Sequence, residues 1–175
     1  APTPDDARDR EPDLAGLRIL VADDHPIARK ALRQQLRSWG AHVDLAADGE
    51  AAWTQIHAPK RKRGSYDLAL LDARMPRLGG GDLALRIAAH EDTQARPIVM
   101  INLGDDAEQQ RCEQLDLLPI LAKPLTTANL ADTLRAVLAE QTESDVIQPV
   151  APAAAAPAEE GLRVLLAEDN PVNQM

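Results

Sequence analysis

Leu68-Ala69-Leu70-Leu71-Asp72-Ala73-Arg74-Met75-Pro76 is an apolar run that stops on one carboxylate and then turns. Upstream, Leu20-Val21-Ala22-Asp23-Asp24-His25-Pro26 does the same with two carboxylates. Short, continuously apolar stretches read as strands buried on both faces, and two such strands that deliver acids at their carboxyl ends describe an active site. Working outward, the pattern predicts strands over 17–22, 42–46, 67–71, 97–102 and 118–122. Between and after them it predicts helices over 26–38, 48–57, 82–90, 105–115 and 126–140. Five βα units in succession imply an α/β fold, an open, doubly wound, five-stranded parallel sheet with helices on both faces. Right-handed crossovers with a switch in winding direction put the ligand site beyond the carboxyl ends of the strands.

The acids fall at that location. Asp23 and Asp24 end the first strand, Asp72 ends the third, and Lys123 follows the fifth and precedes Pro124. Three neighbouring carboxylates repel one another unless a cation compensates. A lysine and a hard divalent ion meet that need. Mg²⁺ takes oxygen ligands, keeps several waters and is commonly bound by one or two carboxylates plus phosphate oxygens. The site therefore suits a phosphoryl group, with one carboxylate as the nucleophile toward phosphorus and the ammonium stabilising the transferring oxygens.

Taken in order, Asp23-Asp24, Asp72 with Met75-Pro76 and Gly80 downstream, the fourth strand, and Lys123-Pro124 resemble the receiver domains of bacterial two-component signalling systems over residues 17–140. The resemblance implies a flavodoxin-like sheet of strand order 2-1-3-4-5. It also implies Asp72 as phosphoacceptor, Asp24 and Asp72 as direct Mg²⁺ ligands with Asp23 supporting them, and the backbone carbonyl of Arg74 as a further ligand. Lys123 would pair with the phosphoryl oxygens, and the Lys123-Pro124 bond is expected to be cis. Such a domain accepts its own phosphoryl group rather than acting as a dedicated enzyme.

Two positions depart from the family pattern. The Thr or Ser usual at the end of the fourth strand is Asn102, whose amide donates a hydrogen bond with a different reach from a hydroxyl. The Tyr or Phe usual three residues before the lysine is Ile120. The acceptor chemistry is intact on this reading, whereas the standard route from it to the fourth helix, fifth strand and fifth helix is altered.

The 175 residues suffice for one such domain with flanks, not for two. Hydrophobic residues make up 45 % of the chain and Phe is absent, so Leu, Ala, Val and Ile must fill the core. There is no long apolar span and no signal-peptide pattern at the start, so the segment is expected to be soluble, without membrane contact of its own. Cys112 is the single cysteine, which excludes an internal disulfide and fits a reducing compartment. Of the net charge of −9, residues 1–13 carry −3 and residues 141–160 carry −4, leaving the domain at 14–140 close to neutral. The first flank holds three prolines and the second the tract PVAPAAAAPAEE, and both read as linkers.

After the second linker, Leu162-Arg163-Val164-Leu165-Leu166-Ala167-Glu168-Asp169-Asn170-Pro171 repeats the pattern of Leu17 to Pro26 position by position. A second receiver begins at 161–175, without an acceptor or lysine, and its opening looks like those of receivers in hybrid sensor histidine kinases. The expected partners are thus a histidine-phosphorylated kinase or phosphotransfer domain, the neighbouring kinase core and the second receiver. The expected location is cytoplasmic, with the bacterial inner membrane as anchor for the parent chain.

Other features take plainer readings. Lys60-Arg61-Lys62-Arg63 reads as a solvated loop, since no interleaved aromatic residues or helix-turn-helix point to nucleic acid. His25 reads as a helix cap or site-rim residue, Trp39 and Trp53 as core or helix-edge residues, Cys112 as a small filler on a helix, and Gly79-Gly80-Gly81 as the turn after the acceptor strand. Three functions stay open at this point: a phosphoacceptor in a phosphorelay, a degenerate receiver acting as an interaction module, and a Mg²⁺-dependent phosphatase using Asp72. Against the last, the acid expected two residues after the nucleophile is Arg74.

Overall fold

The computed structural model describes residues 11–58, 65–90, 92–117 and 119–146. Ten elements alternate along them: β1 Arg18–Ala22, α1 Pro26–Ser38, β2 His42–Ala46, α2 Gly49–Ile56, β3 Leu68–Asp72, α3 Gly80–Ala88, β4 Arg96–Asn102, α4 Asp106–Gln114, β5 Ile120–Lys123 and α5 Thr127–Val146. The strands form one parallel sheet in the order β2-β1-β3-β4-β5. This is the α/β architecture and strand order expected.

Strand alternation builds two cores, one on each face of the sheet. Ile19, Val21, Leu68, Leu70, Ile98 and Met100 point to one face, where Leu32 and Leu36 of α1 and Leu130 and Leu134 of α5 cover them. Leu20, Leu71, Val99 and Ile101 point to the other, under Ala52 of α2, Leu83 and Ile87 of α3 and Cys112 of α4. Every residue of β3 is buried, which is why that strand reads as an unbroken apolar run. Trimming one of its fully buried leucines, such as Leu70, to alanine costs about 2–5 kcal/mol.

The entry and exit of α1 are set locally. Pro26 occupies its first turn, and His25 caps it by accepting from the Ala28 amide at 3.4 Å. At the other end Gly40 takes a positive φ of 95°, and the Gly40 and Ala41 amides donate to the carbonyls of Arg37 and Leu36 at 3.0 and 3.1 Å. This two-bond terminator needs the left-handed conformation that glycine adopts without strain, and it turns the chain directly into β2.

Most boundaries shift by a residue or two from expectation, and three of the shifts have a physical reason or bear on the site. Helix α3 starts at Gly80, not at residue 82; Gly79 is its N-cap, so the glycines read as a turn open the helix instead. A side chain at Gly80 would run into the backbone of Asp72, with its Cβ 2.8 Å from the Asp72 carbonyl carbon, so only glycine lets the helix start this close to β3. Helix α5 runs to Val146, into the stretch read as linker, because no proline interrupts it until Pro149. Lys123 is the last residue of β5 rather than following it. The N-terminal flank up to residue 10, the basic run at 60–63 and the second copy at 161–175 lie outside the described residues.

Candidate phosphoryl-acceptor site

The chain winds one way from β1 to β2 and the other way to β3, so the carboxyl ends of the neighbouring strands β1 and β3 face one crevice. Register aligns Ala22 with Leu71 and Asp72 with Met100, which sets Asp23 and Asp72 side by side at the rim. Asp23, Asp24 and Asp72 each place a carboxylate oxygen within 4.8 Å of the others.

The three acids sit in different surroundings. Asp23 is fully buried, and both of its oxygens are engaged: one accepts from the His25 amide at 2.8 Å, the other from Lys123 Nζ at 2.7 Å. Asp72 is 6 % exposed, and its carboxylate lies 3.1 Å from Lys123 Nζ. Asp24 is exposed. A single lysine thus bridges the two buried acids from β5, on the far side of β4. The bond from Lys123 to Pro124 is cis, as expected.

Burial pushes the Asp72 carboxyl above its ordinary range; the Lys123 ammonium and the Arg74 amide pull it back, and the Asp23 charge adds to the rise. For Lys123, burial works toward a lower pKa, but the bonds to Asp23 and Asp72 prevail and raise it. Three carboxylates against one ammonium leave a net charge near −2 at one spot, an arrangement that suits a hard divalent cation. Asp24, exposed and outside the lysine bridge, is the acid most open to such an ion, with Asp72 beside it.

Of the other positions singled out in the sequence, Asn102 and His25 come to this rim, whereas Ile120 begins β5 at the opposite end of the strand. Asn102 ends β4 opposite Lys123 in the β4–β5 register, with its side chain exposed. Ile120 is half-buried and packs against the core beneath α3 and α4. His25 caps α1 beside Asp23, as expected. The Arg74 side chain turns away from Asp72, and its Nε donates to Asp105 at 2.8 Å. That bond joins the β3–α3 loop to the β4–α4 loop, and the two loops frame a small open cavity of about 210 Å³ lined by Arg74, Asn102, Leu103, Gly104 and Asp105. Nothing local in the sequence marks Arg74 and Asp105 as partners, because they are 31 positions apart. Asp48 was likewise overlooked: it caps α2 by accepting from the Ala51 amide at 2.8 Å and pairs with Arg77. Its place before an apolar helical pattern was the available signal.

Comparison with known proteins places this geometry. The family model described as the response regulator receiver domain matches residues 19–135. Over 141 residues, 80 % of the chain, it is 36 % identical to the sensor histidine kinase RcsC of Salmonella typhi, and over 149 residues, 81 % of the chain, 34 % identical to the virulence sensor protein BvgS of Bordetella bronchiseptica. These matches span only 14 % and 11 % of those relatives' own length. Among solved structures, a response regulator receiver domain protein from Clostridium thermocellum superposes with a TM-score of 0.62 at 20 % identity, over 73 % of this chain and 98 % of that one. A response regulator receiver protein from Burkholderia phymatum gives 0.60 at 24 % identity, over 70 % and 95 %. No helix among the described residues is long and apolar enough to cross a membrane. With the family model matching well over half of its length, the chain belongs to the response regulator receiver domain family.

Proposed function

We propose that residues 14–140 form a receiver of a hybrid histidine kinase, in which Asp72 takes a phosphoryl group from a phosphohistidine of a kinase or phosphotransfer domain. The observation that carries this reading is the buried pairing of Asp72 and Asp23 with the one ammonium of Lys123. In the transfer, a lone pair on the Asp72 carboxylate forms the new oxygen–phosphorus bond, and the phosphorus–nitrogen bond of the donor imidazole breaks with its electron pair left on nitrogen. Lys123 moves its hydrogen bonds toward the incoming phosphoryl oxygens. Asp23 holds the ammonium at the site while this happens. Asp24 and Asp72, with the backbone carbonyl of Arg74, would hold Mg²⁺, and Asp23 would support them. When bound, that ion supplies positive charge against the phosphoryl oxygens.

In the parent chain this domain would be the first of two tandem receivers. Residues 1–13 and 141–160 would act as linkers, with α5 extending into the second, and residues 161–175 would open the next copy. The kinase core and second receiver would be its neighbours, in a parent chain with its receivers in the cytoplasm.

Intact mass after incubation with acetyl phosphate and Mg²⁺ tests the reading. We expect an adduct of one phosphoryl group that is absent in Asp72→Asn. No adduct, or one that survives the substitution, would overturn it. A second reading, a receiver acting as an interaction module without regulated phosphorylation, draws support from the exposed amide of Asn102 and the packed, apolar Ile120. That reading expects the amide spectra of α4 and β5 to be the same with and without the phosphoryl group.

A further inference from the structure

Among the described residues, the lysines and arginines divide sharply. Arg18, Arg74, Arg77, Arg86, Arg96, Arg111, Lys123 and Arg135 all pair with a carboxylate. The four outside any ion pair, Arg29, Lys30, Arg33 and Arg37, all lie on α1, which carries no acid. Arg29, Arg33 and Arg37 recur every fourth residue and form one row along the helix, with Lys30 beside it. This row does not line the apolar cleft between α1 and α5, whose α1 wall is Ala28, Ala31, Leu32 and Gln35. At its upper end Arg29 donates to the backbone carbonyl of Asp23, so the row reaches the rim of the acceptor site.

The chain supplies an anionic segment at the other end. The Leu14 amide donates to the carbonyl of Trp39, the C-cap of α1, at 2.9 Å, and Ala15 lies against Gly40. Residues 1–13 therefore join the domain beside Arg37, and they carry five acids and two bases. Asp5, Asp9 and Glu11 occupy odd positions, so in an extended chain they fall on one side at multiples of about 6.6 Å per two residues, close to the roughly 6 Å between successive arginines of the row, while Asp13 accepts from the Ala15 amide at 3.0 Å where the segment joins the domain. Thirteen extended residues reach about 43 Å, against about 20 Å for the whole of α1. The acidic linker after α5 fits less well, because no acid falls between Val146 and Ala158.

We propose that the acidic segment 1–13 docks along the Arg29–Lys30–Arg33–Arg37 row of α1, so that the preceding linker covers a face that borders the acceptor site. A nitroxide label on Ala7→Cys, in the full 175-residue chain with buried Cys112 replaced by Ala, tests it. Amides of α1 should broaden several-fold more than those of α3 and α4 on the opposite face. That broadening should fade in about 1 M salt, where the screening length falls to about 3 Å, and in the variant with all four bases changed to Gln. Uniform broadening, or broadening of α1 that neither salt nor the Gln variant changes, overturns the proposal. So does broadening of α1 from a label on Ala155→Cys but not on Ala7→Cys, which would assign the face to the second linker. Shifts of the α1 amides only on adding a separate acidic peptide overturn it too, in favour of a second protein. The salt titration of the labelled chain stands alone should the fourfold variant fail to fold.

Discussion

Replacing Lys123 with methionine keeps the length of the side chain and removes the one cation between two buried carboxylates. The ammonium lies 2.7 Å from Asp23 and 3.1 Å from Asp72. At an effective dielectric constant near 20, each contact represents a gross attraction of about 5–6 kcal/mol, most of which offsets the desolvation of the three groups. The quantity that matters on mutation is what is left behind: Asp23 at 0 % exposure and Asp72 at 6 %, with no opposing charge. Orphaning a buried charge in this way costs roughly 3–5 kcal/mol; since the lysine side chain is itself 20 % exposed, we expect the lower end, about 3 kcal/mol. Urea unfolding followed by far-UV circular dichroism measures it. The pH dependence has a definite sign. Without the ammonium, the folded-state pKa of Asp72, already raised by burial, lies further above its unfolded value, so the folded state binds that proton first and the variant regains stability as pH falls toward the ordinary carboxyl range. Mg²⁺ should stabilise the variant more than the parent, because the cluster has become more negative. A deficit below about 1 kcal/mol at neutral pH, or one that grows on acidification, would refute the reasoning.

Further expectations concern the same crevice and its supports. Because burial, first, and the Asp23 charge hold the Asp72 carboxyl above its ordinary range, Asp72→Asn should stabilise the protein at neutral pH. That gain should disappear as pH drops below the unfolded carboxyl value, which the same urea titrations read. Gly80→Ala forces a methyl group into the Asp72 backbone and should cost at least about 1–3 kcal/mol in urea unfolding while slowing phosphorylation by acetyl phosphate. The Ala51 amide, aided by Arg77, lowers the Asp48 carboxyl pKa against the opposing effect of its burial. Stability from this cap is therefore present above the ordinary carboxyl range and lost as pH falls through the lowered value. Asp48→Ala should cost about 1 kcal/mol near neutral pH and progressively less in acid, by urea unfolding.

The sheet was legible because parallel strands buried on both faces leave a signal in the sequence, and Leu68 to Leu71 carries it without interruption. The acids were legible because strand ends are where such sheets hold ligands, and Asp23, Asp24, Asp72 and Lys123 do converge. What was missed depends on distance along the chain or on backbone proximity. Gly79 to Gly81 looked like a turn because the need for glycine at residue 80 arises from the approach of the helix to Asp72, which no local pattern records. The Arg74–Asp105 bond is a product of the fold, joining loops that only the β3–β4 pairing brings together. The end of α5 was placed early because polar composition after Glu140 resembles a linker, although nothing there breaks a helix. The engagement of both Asp23 and Asp72 by one lysine depends on burial, which the Asp23-Asp24 pair does not reveal in sequence.

An acyl phosphate has an electrophilic carbonyl carbon that an ionised carboxylate lacks, so borohydride reduces the former to an alcohol and leaves the latter intact. Treating the chain with acetyl phosphate and Mg²⁺, then borohydride, and sequencing its peptides by mass spectrometry therefore reports the acceptor directly. The account predicts homoserine at position 72 and unchanged aspartates at 23 and 24. Homoserine at either of those positions, or none anywhere in the chain, would contradict it.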